Sequence, residues 1–184
     1  MKLSILICTV PSRVEVYFPK LWKSLEPQLN KEVEVLWLGD NKQRSVGQKR
    51  NDLLKLAQGD YVAFIDDDDR ISDDYVSKIL SGIQSGADVV NFKVSCSVNG
   101  GDYRDVIYDA RFRKDNNFSD HYERLPNHLM AVKRELALRV MFPLKNMSED
   151  ADYARRLKPL IKKQATIDKV LYFYDFFHTV SETQ

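Results

Sequence analysis

An apolar run that ends in consecutive aspartates is the feature that most constrains the fold of this chain. After Gly59-Asp60, the apolar residues Tyr61–Ile65 lead directly into Asp66–Asp69. A continuous apolar run of this length, bounded by glycine and by charge, predicts a strand that is buried on both faces, as in a parallel sheet. Ligands of open α/β sheets bind at the carboxyl ends of the strands, so the aspartates lie where a ligand is expected.

The aspartates themselves predict a metal site. Adjacent carboxylates repel one another, and each loses stability in its charged form when it is desolvated. A hard cation relieves both penalties, and Mn²⁺ and Mg²⁺ prefer oxygen ligands. Magnesium binds one or two protein carboxylates and completes its shell with water and substrate phosphates. Asp66–Asp69 therefore indicate a Mn²⁺ or Mg²⁺ site that also binds a diphosphate, and a solvated acidic turn is the alternative interpretation.

Two further stretches precede the aspartates in a recognisable order. Gly47-Gln48-Lys49-Arg50-Asn51 comes first, Ala57-Gln58-Gly59-Asp60-Tyr61 follows, and Asp66–Asp69 complete the series. The series resembles the inverting glycosyltransferases of family 2, in which Gly-x-x-Arg-Asn at a helix start precedes Ala-x-Gly-(Asp/Glu)-Tyr and a strand that ends in Asp-x-Asp. The resemblance covers roughly residues 2–180 and implies the GT-A fold, an α/β fold with a mostly parallel central sheet flanked by helices.

The resemblance also implies a domain organisation and a function. It implies one domain over residues 1–184, with about 1–95 binding the nucleotide sugar and about 96–184 binding the acceptor. The expected activity is metal-dependent, inverting transfer of a sugar from a nucleoside-diphosphate sugar, with UDP-sugars favoured, to an acceptor hydroxyl of unknown class. Two alternatives stay open. A sugar nucleotidyltransferase would normally carry a glycine-rich phosphate loop, which is absent after the first strand, and a non-catalytic nucleotide- or sugar-binding module would not need a base.

Residues at the predicted ends of the first two strands would hold the nucleoside, according to the same resemblance. Thr9 and Arg13 fit the family's turn after the first strand, although Pro11 interrupts the pattern and the family's aromatic residue is missing. Asp40 fits the acidic residue at the tip of the second strand, where the family contacts the nucleobase or the ribose. An ordinary turn aspartate is the alternative for Asp40.

Two basic residues are expected in the first turn of the helix that follows. Cations oppose the helix dipole at that end, so Lys49 and Arg50 predict a bound diphosphate that offsets this cost. The other interpretation is that Arg50 pairs with a core carboxylate such as Asp66. Within the resemblance, Asp66 and Asp67 would contact the donor, with Asp66 bridging to the ribose, and Asp68 would bind the metal.

The catalytic base is predicted at the start of a later helix. Helical spacing places Asp150 on the inner face with Tyr153, places Glu149 away from that face, and makes Ser148 a suitable N-cap. The resembled family has a Glu-Asp pair at this point and uses its aspartate as the base, which implies that role for Asp150. His178 follows a tyrosine-rich last strand, as in the family's C-terminal pattern, and would bind the metal or contact the diphosphate.

Composition argues against several other classes of protein. Lys and Arg total 28 against 27 Asp and Glu, and a net charge of +1 gives no global attraction to nucleic acid or anionic membranes. Cys8 and Cys96 are too few for a disulfide framework, so we expect both to be reduced and structural. No apolar stretch reaches ~18 residues and the N-terminus leads directly into a strand, so we expect no transmembrane segment and a cytoplasmic location.

The hydrophobic pattern predicts an alternation of strands and helices. Predicted strands cover residues 3–9, 33–38, 61–65, 88–98, 103–108, 128–132 and 170–174, and predicted helices cover about 18–29, 47–57, 73–83, 133–140 and 149–160. Asn99-Gly100-Gly101 predicts a hairpin turn. Residues 111–126 have no clear period and are expected to form a loop, which either contacts the acceptor or is a solvated connection.

Overall fold

A ten-stranded sheet with helices packed against it makes up the part of the chain that the computed structural model describes, residues 1–176. The strands are β1 Leu3–Thr9, β2 Val33–Gly39, β3 Tyr61–Phe64, β4 Arg70–Ile71, β5 Val89–Val98, β6 Arg104–Tyr108, β7 Asn116–Asn117, β8 His121–Arg124, β9 Ala131–Lys133 and β10 Gln164–Phe176. The helices are α1 Pro11–Val14, α2 Phe18–Leu25, α3 Val46–Leu56, α4 Tyr75–Ile83, α5 Arg134–Val140 and α6 Glu149–Leu157.

The sheet has a parallel part and a mixed part. Its order is β2-β1-β3-β9-β5-β6-β8-β7, and β10 pairs with both β5 and β4. β1 is parallel to β2 and β3, whereas β9 is antiparallel to both β3 and β5. The predicted α/β fold with a mostly parallel central sheet flanked by helices is confirmed, and β9 introduces antiparallel pairing in the middle of the sheet. Because β1 and β3 run side by side in one direction, Thr9 and Asp66–Asp69 emerge at the same edge.

Two glycines of the family-like stretches allow close packing of neighbouring backbone segments. A Cβ on Gly59 would lie 2.6 Å from the backbone nitrogen of Ser4, and the Gly59 amide donates to the Ser4 hydroxyl at 2.8 Å. A Cβ on Gly47 would lie 1.9 Å from the carbonyl oxygen of Pro143. The first contact sets how β3 enters beside β1, and the second lets the start of α3 pack against the segment that leads to α6.

Two predictions concern the region after β5, of which one is confirmed and the other is wrong. β5 and β6 form the predicted antiparallel hairpin, with Val94 opposite Val106. The prediction of a loop over residues 111–126 is wrong, because β7 and β8 lie within it and β8 pairs in parallel with β6. These strands contain only two and four residues, which is too short for an alternating pattern to show in the sequence.

Cys8 and Cys96 are both buried and free, as predicted. In the described part of the chain, no helix is long and apolar enough to cross a membrane.

Candidate active site

We call Asp66–Asp69, which follow β3, the acidic turn. A tyrosine of β10 holds this turn in place. The backbone amide of Asp66 donates to the Tyr172 hydroxyl at 3.0 Å, and that hydroxyl donates to Asp69 Oδ2 at 2.6 Å. Burial and the nearby charge of Asp66 raise the pKa of Asp69 well above its ordinary value. Sequence reasoning missed the role of Tyr172, for which the only signal is the tyrosine-rich last strand.

Two predicted donor-site residues, Thr9 and Arg13, contact the carboxylates of Asp67 and Asp68. The Thr9 hydroxyl donates to Asp67 Oδ2 at 2.6 Å. The Arg13 guanidinium lies 2.7 Å from Asp67 Oδ1 and 2.6 Å from Asp68 Oδ2, and it also stacks over the Tyr17 ring. Asp67 is buried, which raises its pKa against the opposing effects of Thr9 and Arg13, whereas the Asp68 side chain is 44% exposed.

Asp40, which directly follows β2, and the side chain of Lys49 from α3 lie beside this group. The Lys49 ammonium donates to the Thr9 carbonyl at 2.9 Å and lies 3.6 Å from Asp40 Oδ1. Both carboxylate oxygens of Asp40 are buried, and within residues 1–176 neither has a hydrogen-bond donor. We refer to Thr9, Arg13, Asp40, Asp67 and Asp68 as the strand-end cluster. Its unsatisfied Asp40 oxygens are suited to accept hydrogen bonds from a ligand.

Lys49 and Arg50 lie within α3 and both are buried. α3 begins at Val46 with Ser45 as its N-cap, so both basic residues follow the first helical positions, and their exposed fractions are 0% and 4%. The Arg50 guanidinium lies 3.0 Å from Asp66 Oδ1, which is the ion pair that the sequence left as one of two alternatives.

A second carboxylate completes the environment of Arg50. Glu149 Oε1 lies 3.3 Å from the guanidinium, which is also packed between the rings of Phe64 and Phe142. Burial alone would lower the pKa of Arg50, but the carboxylates of Asp66 and Glu149 raise it. The expectation that Glu149 lies away from the interior is therefore wrong. Its partner comes from α3, about a hundred residues earlier, so no local pattern could indicate it.

His128 contacts Asp66 from the other side. Its Nε2 lies 3.4 Å from Asp66 Oδ2. Burial would raise the pKa of Asp66, but Arg50 and then His128 lower it below its ordinary value, so Asp66 is ionised. Nothing in the sequence around His128 indicates this contact, which joins residues 62 positions apart.

A cavity of about 550 Å³ opens between the acidic turn, α6 and one face of the sheet. We call it the central cavity, and its lining includes Asp66, Asp69, Tyr108, Arg124, His128 and Asp150. Asp150 lies in the first turn of α6, where its Oδ1 accepts a hydrogen bond from the Ala151 amide at 2.7 Å. Ser148 occupies the predicted N-cap position of α6, but it adopts a left-handed conformation with φ of 56° and its side chain makes no capping hydrogen bond.

The strand ends offer few protein donor atoms for the predicted metal. Within residues 1–176, no three His, Cys, Asp or Glu side chains converge as a metal-binding group. His178, the second predicted ligand, lies outside the described residues. Asp68 is half-exposed and contacts Arg13 through one oxygen. This arrangement fits a cation that takes few protein carboxylates and completes its shell from substrate phosphates.

The fold and the site together define an α/β protein whose strand ends carry a carboxylate-rich ligand site. Its sequence matches the family model described as glycosyl transferase family 2 over residues 17–140, about two thirds of the chain. The chain belongs to that family. No curated protein matches the chain.

Solved structures of glycosyltransferases and related proteins share the fold. Residues 1–349 of S. aureus TarS in complex with UDP align with a TM-score of 0.74 and 21% identity over 95% of this chain and 60% of that chain. The UDP-GlcNAc complex of the same fragment gives 0.72 and 19% over 95% and 58%. The mannosyltransferase PcManGT from Pyrobaculum calidifontis, with GDP-Man and Mn²⁺, gives 0.62 and 15% over 94% and 56%. The chain thus spans about three fifths of these solved chains, and the likeness establishes the GT-A fold.

Proposed function

We propose that the protein transfers a sugar from a nucleoside-diphosphate sugar to an acceptor hydroxyl. The observation that carries this proposal is the central cavity, which brings the candidate base Asp150 and the acidic turn at the strand ends to one space. Family membership and the glycosyltransferase fold support the same activity. Of the alternatives left open by the sequence, neither nucleotidyl transfer nor simple binding requires a carboxylate opposite the strand ends.

The nucleoside of the donor would bind at the strand-end cluster. The buried Asp40 oxygens would accept hydrogen bonds from ribose hydroxyls or from a base N–H, because a buried carboxylate without donors is costly until a ligand satisfies it. Lys49 would fix the positions of Asp40 and Thr9 through its contacts with both residues. A UDP-sugar is the favoured donor, and the UDP and UDP-GlcNAc complexes of TarS support this choice.

Mn²⁺ or Mg²⁺ would be held by Asp68, with His178 as a further ligand. When bound, the cation would neutralise charge on the diphosphate leaving group, which is the largest electrostatic demand of such a reaction. Arg13 currently contacts Asp68, so its guanidinium would turn from that carboxylate to the diphosphate as the donor binds.

Asp150 would act as the general base. The acceptor oxygen attacks the anomeric carbon while its proton passes to the Asp150 carboxylate, and the bond between that carbon and the diphosphate oxygen breaks. One displacement inverts the anomeric centre, so an α-linked donor gives a β-linked product. Arg50 is a positioning residue in this proposal, because its ion pairs join Asp66 of the acidic turn to Glu149, the neighbour of Asp150.

The proposal is tested by a donor screen. Calorimetry should detect binding of UDP in the presence of Mn²⁺, with loss of most of the binding when the metal is chelated. The same protein should slowly hydrolyse the best UDP-sugar, and proton NMR of the first released sugar should show inversion. Tight UDP binding in a chelator would remove the metal from the mechanism. Absence of hydrolysis or transfer with UDP-, GDP- and dTDP-sugars would overturn the proposed activity.

A further inference from the structure

The face of α6 that lines the central cavity continues toward the end of the helix. Asp150, Ala151 and Ala154 line the cavity. Lys158 follows Ala151 by seven positions and Ala154 by four, so it lies on the same side of the helical turns. The small alanine side chains leave room beside this face. A ligand whose reacting group is at Asp150 would therefore extend along α6 toward Lys158.

This end of the cavity is strongly basic. Arg155, Arg156 and Lys158 all follow the cavity-lining Ala154 within four positions. The Lys158 ammonium donates to the backbone carbonyls of Phe112 and Arg113, which are neutral groups. Arg113 and Lys114 are exposed and directly precede Asp115, which lines the cavity. The segment before β7 thus brings further cations to the same place.

The cations at this end are not neutralised within the protein. In the described part of the chain, no carboxylate lies within 4 Å of the amino or guanidinium groups of Arg113, Lys114, Arg155 and Lys158. Arg156 differs, because it pairs with Asp152 and donates to backbone carbonyls of the segment after α5. We call Arg113, Lys114, Arg155 and Lys158 the basic rim.

The inner end of the cavity has the opposite character. Asp66, Asp69 and Asp150 contribute three carboxyl groups to the lining beside Arg124 and His128, and a bound donor would add the charge of its diphosphate. An anionic group is therefore repelled from the inner end and attracted to the basic rim. With a rise of ~1.5 Å per residue, Arg155 and Lys158 lie roughly 8 and 12 Å from Asp150 along the helix axis.

We propose that the acceptor is an acidic oligosaccharide that presents a neutral hydroxyl to Asp150 and an anionic group, phosphate or carboxylate, to the basic rim. This inference rests on the proposed transferase function and names the class of acceptor. The anionic group lies roughly 8–12 Å from the reacting hydroxyl. Acceptors without such a group lose this attraction and bind less tightly.

Fluorescence anisotropy with labelled trisaccharides of equal length tests the inference. The probes are trigalacturonic acid for carboxylate, a maltotriose phosphomonoester for phosphate, and maltotriose as the neutral reference. We expect at least one anionic probe to bind tenfold or more tightly than maltotriose, and added NaCl to weaken that binding. The stronger of the two anionic probes identifies the group. Equal binding of all three probes would overturn the inference.

Charge reversal locates the binding surface. The double variant Arg155→Glu/Lys158→Glu should lose at least tenfold in affinity for the anionic probe and little for maltotriose. The matched control is Lys31→Glu/Lys55→Glu, which changes net charge equally at exposed lysines near the opposite edge of the sheet, and it should stay within twofold. The single variant Arg155→Glu, at an exposed position, should give part of the loss and keeps the test valid if the double variant folds poorly.

Hydrolysis of UDP-sugars, measured in the same preparations, separates the two proposals. If hydrolysis persists in all variants but charge reversal leaves anionic binding unchanged, the acidic acceptor is wrong and the transferase function stands. If no nucleotide sugar is hydrolysed or transferred by the wild-type protein, the transferase function fails and the acceptor assignment fails with it.

Discussion

The carboxylates of the strand-end cluster and Asp150 in the central cavity have opposite surroundings. Asp67 and Asp68 are both paired with Arg13, and Lys49 lies close to Asp40. Asp150 accepts a backbone hydrogen bond, and within residues 1–176 no cationic side chain lies within 4 Å of its carboxylate. The donor side is therefore held together by protein cations that a ligand must rearrange. The central cavity, the proposed acceptor side, presents a candidate base that needs no rearrangement before it can accept a proton.

The largest expected effect follows from removing that base. Asp150→Asn should lower the rate of transfer by ~10²–10⁴-fold, because an amide cannot accept the acceptor's proton. Donor affinity should stay nearly unchanged, since the loss lies in the chemical step. Steady-state kinetics with the best donor, together with calorimetry of UDP, measure both quantities.

Asp152→Asn is the matched control for this variant. It removes the same charge from the same helical turn, at a residue that pairs with Arg156 instead of lining the central cavity. We expect its transfer rate to stay within about twofold of wild type, since exposed ion pairs contribute little. If the two variants lose activity equally, the charge of the helix start matters and Asp150 is not the base.

The second prediction concerns Arg50, which joins Asp66 of the acidic turn to Glu149 at the start of α6. Arg50→Met should destabilise the fold by about 3–5 kcal/mol, because it leaves the buried Glu149 carboxylate and the partly exposed Asp66 carboxylate without their cation. Urea denaturation of both proteins measures the difference in free energy of unfolding. The control is Arg139→Met, at an exposed position of α5, with an expected change below about 0.5 kcal/mol. A small effect for Arg50→Met would mean that the two regions are held together by other contacts.

Much of the parallel part of the sheet was predictable, and the contacts of the site were not. β1 and β3 were predicted correctly, because a continuous apolar run bounded by charged residues is typical of a strand that is buried on both faces. The pairing of β8 with β6 leaves no such pattern, since short strands carry little periodicity. The contacts of Tyr172 and His128 with the acidic turn join residues far apart in the chain, and a sequence alone does not show which distant polar groups meet.

The wrong prediction for Glu149 in α6 has the same cause, a contact between residues far apart in the chain. Helical spacing separates Glu149 from the apolar face, which would expose it if the helix packed on one side only. In the structure Arg50 of α3 reaches Glu149, while the adjacent Asp150 lines the central cavity. Both acidic residues are thus used, one structurally and one as the candidate base. The choice of Asp150 as the candidate base came from the family resemblance alone.

The third prediction concerns the scaffold of the acceptor side, where a paired carboxylate does occur. Asp88, just before β5, accepts hydrogen bonds from the Lys133 side chain at 3.0 Å and from the amides of Lys162 and Lys163 at 2.9 and 3.0 Å. Burial would raise the pKa of Asp88, but these bonds lower it below 3.8. Asp88→Asn should therefore cost about 1–3 kcal/mol at pH 7.

The pH dependence of this effect has a definite sign. Because the pKa is lower in the folded state, the contribution of Asp88 is fully present above its ordinary value of 3.8 and is lost as the pH falls through the lowered value. The difference in melting temperature between wild type and Asp88→Asn should therefore shrink from pH 7 to pH 3. Asp102→Asn, at an exposed position in the β5–β6 turn, should show no such change. A constant difference across this range would exclude the ionised form as the source of stability.

The smallest effect tests the idea that the donor side must rearrange. Arg13 contacts Asp68 in the structure, so Arg13→Gln frees the predicted metal ligand from its cation. Mn²⁺ alone should then bind severalfold more tightly, because it no longer competes with a guanidinium. UDP in the presence of Mn²⁺ should bind about tenfold more weakly, which corresponds to ~1.4 kcal/mol, because the diphosphate loses a charged partner.

Lys20→Gln is the control, since Lys20 is an exposed neighbour that also stacks on Tyr17 but does not touch Asp68. Opposite changes in the two affinities would confirm that Arg13 exchanges one partner for the other. Parallel losses of both would mean that Arg13 only fixes the turn, and the contrast between a donor side that rearranges and an acceptor side that does not would then disappear.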